Sequence, residues 1–137
     1  MKITYIKLKK ISNQHKLVAV ADVTIDNLIA IHDIKVVENA VGELFIAMPN
    51  KKRPNGTFSD VVHPISASAR GVFESLILTA ADKLIKEKRS YLQYKLEYTT
   101  DNTFFEQSLS DFTLIEDNDM RFVDESVKDE ILSWLNP

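Results

Sequence analysis

The first half of the chain alternates apolar and polar residues with a period of two, which is typical of half-buried β-strands. At Tyr5 and Ile6 the alternation changes phase, and this predicts a β-bulge in the first strand. Short polar turns such as Asp26-Asn27 separate the strands, so we expect neighbouring strands to pair as an antiparallel meander. The predicted strands span residues 2–11, 17–25, 28–37, 44–48 and 57–62.

After residue 65 the period changes, and apolar residues recur at intervals of three and four. This spacing predicts an amphipathic helix over residues 67–88, with Ser66 as its N-cap. A sixth strand is predicted at residues 91–98, and residues 104–114 are predicted to close a hairpin with it. Asp124 is a suitable N-cap for a final short helix.

These elements predict one domain of the α+β class over residues 1–137. An antiparallel meander of about five strands is followed by a covering helix, an extra strand or hairpin, and a short C-terminal helix. We divide the chain into a body, residues 1–89, and a C-terminal extension, residues 90–137.

Composition limits the cellular setting and the chemistry. The chain has no cysteine, which removes disulfides and thiolate nucleophiles and suits a reducing compartment. The N-terminus mixes lysine with apolar residues, unlike a signal peptide, and no apolar run approaches the length of a membrane span. We therefore expect a cytoplasmic protein that does not associate with membranes.

Charge is distributed unevenly along the chain, whose net charge is −3. Residues 1–96 contain 15 Lys/Arg and 9 Asp/Glu, a net charge of +6, whereas residues 97–137 contain 2 and 11, a net charge of −9. An acidic segment either keeps a protein soluble or competes for a basic surface of the same chain. Solubility is the more common reason, and the sequence leaves both open.

The strongest candidate site is a cluster of three cations that follows an apolar run. Lys51, Lys52 and Arg53 have no acidic residue among them, and residues 54–56 (Pro-Asn-Gly) then turn the chain. The pattern predicts a cationic loop on a rigid base. Because loops held by a scaffold concentrate binding residues, we expect this loop to bind an anionic ligand.

Further basic residues are predicted to enlarge this site. Arg70 lies in the first turn of the predicted helix, where backbone amides already favour anions. The first 16 residues contain five lysines and no acidic residue, and Lys7 and Lys9 would contribute if the sheet brought the first strand nearby. Phe58, just after the loop, is either a core residue or a platform for an unpaired base.

Signals for catalysis are weak. His32-Asp33 is a pair found in metal phosphohydrolases, but adjacent residues of a strand point to opposite faces and cannot easily chelate one metal. Asp60 and His63 would join His32 only if the fold brought them together. The chain also lacks a glycine-rich phosphate loop. We therefore expect a protein that is not an enzyme and that uses neither a metal nor a cofactor.

A further pattern lies in five ordered blocks of the body: residues 3–8 (ITYIKL), 32–37 (HDIKVV), 42–52 (GELFIAMPNKK), 54–58 (PNGTF) and 60–65 (DVVHPI). Together these blocks resemble the bacterial SpoVG family, known as stage V sporulation protein G or septation regulator. The resemblance covers residues 1–85. Residues 90–137 are then an atypical C-terminal extension.

The resemblance implies a small α+β protein that forms a homodimer through its sheet, binds DNA or RNA, and regulates gene expression and cell division in septation and sporulation. It maps the family's basic loop onto Lys51 and Lys52, and Arg53 adds a charge where a neutral residue is more usual. The sequence thus predicts a nucleic-acid-binding regulator, in which Arg70, Lys7 and Lys9 make secondary contacts. The alternative is a protein-interaction module that uses the acidic extension.

Overall fold

An antiparallel sheet with a long helix across one face forms the frame of the protein. The computed structural model describes residues 1–11, 16–96 and 103–115. The helix, α1, spans Ala67–Lys86, and two short 3-10 turns span Phe104–Glu106 and Leu109–Asp111. The strands are β1 (Ile3–Lys10), β2 (Leu17–Ile25), β3 (Ile29–Glu38), β4 (Leu44–Ala47), β5 (Asn50–Lys52), β6 (Phe58–Asp60), β7 (Tyr91–Leu96) and β8 (Phe112–Leu114).

Six of the described strands form one sheet in the order β4-β3-β2-β1-β7-β8, and each pair of neighbours is antiparallel. This arrangement confirms the α+β class and the antiparallel meander, which consists of β1 to β4. The fifth predicted strand corresponds to β6. It pairs with β5 in a separate two-stranded hairpin instead of extending the meander.

The predicted bulge in β1 is confirmed. The register of β1 against β2 shifts between Ile3 and Tyr5. Ile3 and Ile6 are both fully buried, and a spacing of three residues places both on one face because the bulge adds a residue to the strand. At the far end of β2, Asp26 and Asn27 have φ angles of 53° and 55°, the left-handed conformation that the central residues of a type I′ turn adopt.

The helix begins where the sequence predicts. Ser66 is its N-cap, and the Ser66 hydroxyl accepts a hydrogen bond from the Ala69 amide at 3.1 Å. The buried side of α1 packs on one face of the sheet and forms the core with residues of β1 to β4 and β7. The fully buried members of the helix are Leu76, Ile77, Ala80, Ala81 and Leu84.

Part of the C-terminal extension belongs to this core. Strand β7 pairs with β1, and β8 continues the sheet beyond it. The Gln107 side chain bonds to both backbone groups of Ile3: its amide nitrogen donates to the Ile3 carbonyl at 2.8 Å, and its oxygen accepts from the Ile3 amide at 3.0 Å. Phe104 is buried against Phe73, with ring centroids 6.1 Å apart. The described part of the extension is therefore continuous with the body.

Two details of the extension differ from the prediction or lie beyond it. Residues 104–111 were expected to be extended but form the two 3-10 turns, because Glu106 and Asp111 accept hydrogen bonds from the Thr103 and Ser108 amides and close each turn. Of residues 104–114, only Phe112–Leu114 pairs with β7. The predicted helix after Asp124 lies outside the described residues. No helix that the structure describes is long and apolar enough to cross a membrane.

Candidate nucleic-acid interface

The three clustered cations lie on a β-hairpin and not in a simple loop. Lys51 and Lys52 belong to β5, where they pair with Ser59 and Phe58 of β6. The loop prediction was wrong at these two positions because the turn that follows is tight enough to fold β6 back onto them. The tip is closed by the Arg53 amide, which donates to the Thr57 carbonyl at 2.7 Å.

The hairpin has a rigid base and an open cationic surface. At its base the Val61 amide donates to the Pro49 carbonyl at 2.7 Å, and at its turn Gly56 has a φ of 87°. Lys51, Lys52 and Arg53 are exposed, and none of the three forms an ion pair within the described residues. Three positive charges are therefore presented together to solvent. We call residues 50–60 the cationic hairpin.

Phe58 is 68% exposed and lies directly across from Lys52. Of the two interpretations that the sequence left open, the structure excludes burial in the core. Paired residues of an antiparallel ladder share a face, so the side chains of Phe58 and Lys52 lie on the same face of the hairpin. An aromatic ring next to a cation is a combination that suits an unpaired base next to its phosphate.

Arg70 is partly occupied by contacts within the protein. Its Nε donates to a Glu74 carboxylate oxygen at 3.0 Å, and its Nη2 donates to the Ile46 carbonyl at 3.3 Å. These contacts join the first turn of α1 to the edge strand β4, just before the cationic hairpin begins. Arg70 therefore supports the base of the hairpin. Its role as a direct ligand contact stays a prediction.

Lys7 and Lys9 lie on the face of the six-stranded sheet opposite α1, which we call the second sheet face. Two strands, β2 and β3, separate β1 from β4, a distance of about 14 Å. The structure therefore does not gather these lysines into one cluster with the hairpin. Lys35 of β3 is exposed on the same face, next to Ala47 of β4. Sequence reasoning missed Lys35, although the alternation in β3 places it opposite the buried Ile34 and Val36.

His32 has a partner that the sequence did not predict. His32 Nδ1 lies 3.1 Å from a carboxylate oxygen of Asp22 on the neighbouring strand. Asp33 is exposed and has a φ of 62° at the irregularity between β2 and β3. In the segments that the structure describes, no three histidine, aspartate or glutamate residues lie close enough to hold a metal ion.

A cleft of about 230 Å³ opens beside the start of α1, at the base of the cationic hairpin. Around it, Ile65 is 92% exposed and Met1 is 70% exposed. Exposed apolar side chains around an apolar cleft are typical of protein interaction surfaces. We call this cleft the apolar groove; its lining residues are Met1, Ile25, Ile31, Met48, Val62, His63, Pro64, Ile65, Ala69, Phe73 and Phe104.

Fold and site together define a small α+β protein that presents a rigid cationic hairpin beside an apolar groove. The SpoVG family profile matches residues 1–83, which is more than half of the chain. The chain belongs to the SpoVG family.

Relatives from several bacteria support this assignment. The protein named "Putative septation protein SpoVG" from Clostridium beijerinckii is 43% identical over 88 residues, which cover 64% of this chain and 96% of the relative. The relative of the same name from Acetivibrio thermocellus is 47% identical over 78 residues, which cover 57% of this chain and 82% of the relative. The relative of the same name from Brevibacillus brevis is 34% identical over 93 residues, which cover 68% of this chain and 97% of the relative. The family match ends before β7, so the extension is an addition to the shared body.

Proposed function

We propose that this protein is a nucleic-acid-binding regulator that docks its cationic hairpin on phosphates of DNA or RNA. The observation that carries the proposal is the group of three exposed cations, Lys51, Lys52 and Arg53, without an acidic partner in the described residues. Phosphates attract such a group, and binding releases the counterions that surround them. The membership of the chain in the SpoVG family agrees with this function.

The rigidity of the hairpin supports tight docking. Backbone hydrogen bonds close it at the Arg53–Thr57 turn and at the Pro49–Val61 base. A pre-formed hairpin loses less conformational freedom on binding than a flexible loop does. Phe58, exposed beside Lys52, adds an aromatic surface that stacks on an unpaired base. This pair favours single-stranded regions over a closed duplex.

We further propose that the protein acts as a homodimer. The resemblance implies a contact through the sheet, but we assign the contact to the apolar groove, because this groove and the exposed side chain of Ile65 beside it form an apolar surface that a second copy would cover. Two copies would present two cationic hairpins and so about six charges to one nucleic acid.

The names of the relatives refer to septation, and we propose that the regulated process is septation or sporulation.

A salt-titrated binding assay tests the phosphate contacts. With about six phosphates engaged, the log–log slope of affinity against salt is expected on the order of −5 for duplex DNA and shallower for single strands. A triple glutamine variant, Lys51→Gln, Lys52→Gln and Arg53→Gln, should lose most of this slope and bind weakly to all sequences, because phosphate contacts carry no sequence information.

The matched control carries the same change of charge at the far end of α1: Lys83→Gln, Lys86→Gln and Lys88→Gln. We expect it to keep the affinity and slope of the unmodified protein. Equal losses in the two triple variants would show that net charge alone attracts nucleic acid. An affinity that does not change with salt would contradict the proposed function.

A further inference from the structure

The second sheet face carries both charge and apolar area. Lys9 and Lys35 are exposed there, and each faces Val20 across the strands. Val37 and Phe45 form a neighbouring apolar pair, and Phe45 is 44% exposed. The helix α1 and the 3-10 turns contact one another on the other side of the sheet. No described helix therefore covers the second sheet face.

One segment of the chain has the complementary character. Residues 116–137 contain seven Asp/Glu and two Lys/Arg, a net charge of −5. The same segment has apolar residues at helical spacing, which would form one face of the helix predicted after Asp124. They are Val127, Ile131, Trp134 and Leu135.

The place where this segment starts brings it next to the second sheet face. The Ile115 amide donates to the Gln93 carbonyl at 2.8 Å, at the end of β8. Gln93 pairs with Lys7 in the adjacent strand β1, and Lys7 pairs with Asp22 in β2. Residue 116 thus follows directly on the edge of the row that contains Lys7.

The lengths of the predicted helix and of the residues before it fit the width of the sheet. A helix over residues 124–135 would be about 18 Å long. The four strands β1 to β4 carry Lys9, Lys35 and the apolar residues of this face and span about 14 Å, so such a helix would cross all four. The eight residues 116–123 can extend over about 26 Å, which is ample for the roughly 10 Å from β8 to β1 together with the step of about 10 Å from a sheet to a packed layer.

We propose that residues 116–137 dock on the second sheet face of their own chain. The apolar side of the segment packs on Val20, Val37 and Phe45, and its carboxylates lie near Lys9 and Lys35. Amphipathic segments are stabilised by burying their apolar side against a sheet. The acidic extension then has a partner within the molecule, and the fold has a third layer.

Docking has a consequence for binding that rests on the proposed function. The segment would cover Lys7 and Lys9 and place carboxylates where phosphates would otherwise bind. Nucleic acid and the acidic segment would therefore compete for these lysines, while the cationic hairpin stays accessible. Competition of this kind weakens binding without changing the hairpin.

Trp134 is the single tryptophan of the chain, so its fluorescence reports on this segment in the intact protein. We expect blue-shifted emission and protection from acrylamide, independent of protein concentration. The double variant Lys9→Glu and Lys35→Glu should weaken docking roughly tenfold, which shifts the emission to the red. In the control variant Lys10→Glu the charge projects to the helix side of β1, and Trp134 should remain protected.

A solvent-exposed Trp134 in the unmodified protein would overturn the proposal, and so would equal responses of the two charge variants. Exposure of Trp134 by Ile65→Glu alone would also overturn it, because it would place the segment in the apolar groove. If the double variant fails to fold, Ile131→Asp decides, because it alters only the segment and should expose Trp134. Protection that persists in Ile131→Asp would also contradict docking through the apolar side.

Measuring nucleic-acid affinity of Ile131→Asp separates this inference from the proposed function. An exposed Trp134 together with tighter binding supports both. An exposed Trp134 in a protein that binds no nucleic acid, with or without the substitution, supports docking and contradicts the proposed function. Salt-dependent binding through the hairpin together with a Trp134 that is exposed in the unmodified protein contradicts docking alone.

Discussion

Replacing Gln107 with alanine should destabilise the protein strongly, because one side chain holds both backbone groups of Ile3. Gln107 is 6% exposed and Ile3 is fully buried, and the two hydrogen bonds measure 2.8 and 3.0 Å. The loss of each bond leaves a buried backbone group without a partner and costs about 1.5 kcal/mol. We expect a loss of about 3 kcal/mol in the free energy of unfolding.

Urea denaturation followed by circular dichroism measures this loss, and thermal unfolding should show a fall of roughly 10 °C in Tm. Ser110→Ala is the control, since Ser110 is exposed and its hydroxyl bonds to the exposed Ser108 hydroxyl; its effect should stay within about 0.5 kcal/mol. Gln107→Glu keeps an acceptor for the Ile3 amide but offers the Ile3 carbonyl no donor, so it should also destabilise. A loss below about 0.5 kcal/mol in Gln107→Ala would refute the reasoning that the extension is part of the core.

Other substitutions test separate parts of the fold. Phe104→Ala removes a ring packed on Phe73 at 6.1 Å and should cost about 3 kcal/mol in the same denaturation assay. Ser66→Ala removes the N-cap of α1 and should cost about 1 kcal/mol, with reduced helicity by circular dichroism. Burial, and then the Asp22 charge, raises the pKa of Tyr5 from 10.0 to about 12. Because the folded state holds the phenol proton more tightly, the contribution of Tyr5 to stability is intact below pH 10 and is lost as the pH rises through about 12. The free energy of unfolding of Tyr5→Phe should lack this dependence on pH. If the variant and the unmodified protein lose stability equally between pH 10 and 12, Tyr5 is not the source of the dependence.

Local signals were sufficient for the frame of the molecule. The phase change at Tyr5 predicted the bulge, and Ser66 predicted the start of α1, because a bulge and a cap each depend on a few neighbouring residues. The strand β5 was missed for the opposite reason. Asn50, Lys51 and Lys52 have little preference for strands, and they become extended only because β6 folds back and supplies hydrogen-bond partners.

The candidate site was predictable only in part. The three clustered cations are visible in the sequence, and their exposure follows from their charge. The position of Arg70 follows from helix spacing, but its bond to Ile46 joins residues 24 apart and depends on how α1 packs on β4. The separation of Lys7 and Lys9 from the hairpin depends on strand order, which the spacing of residues along the chain does not determine.

The pairing of β1 with β7 has a consequence for the time at which the sheet can close. Tyr5 through Lys9 pair with residues 91–95 of β7. Of the described strands, only β8 is synthesised later than β7. At about 5–20 residues per second, one edge of β1 waits roughly 4–17 seconds for its partner after β1 has been made. An unpaired edge is where strands of other chains attach. During synthesis the nascent chain is thus exposed to faulty pairing at one of the two central strands of its sheet until its C-terminal third emerges.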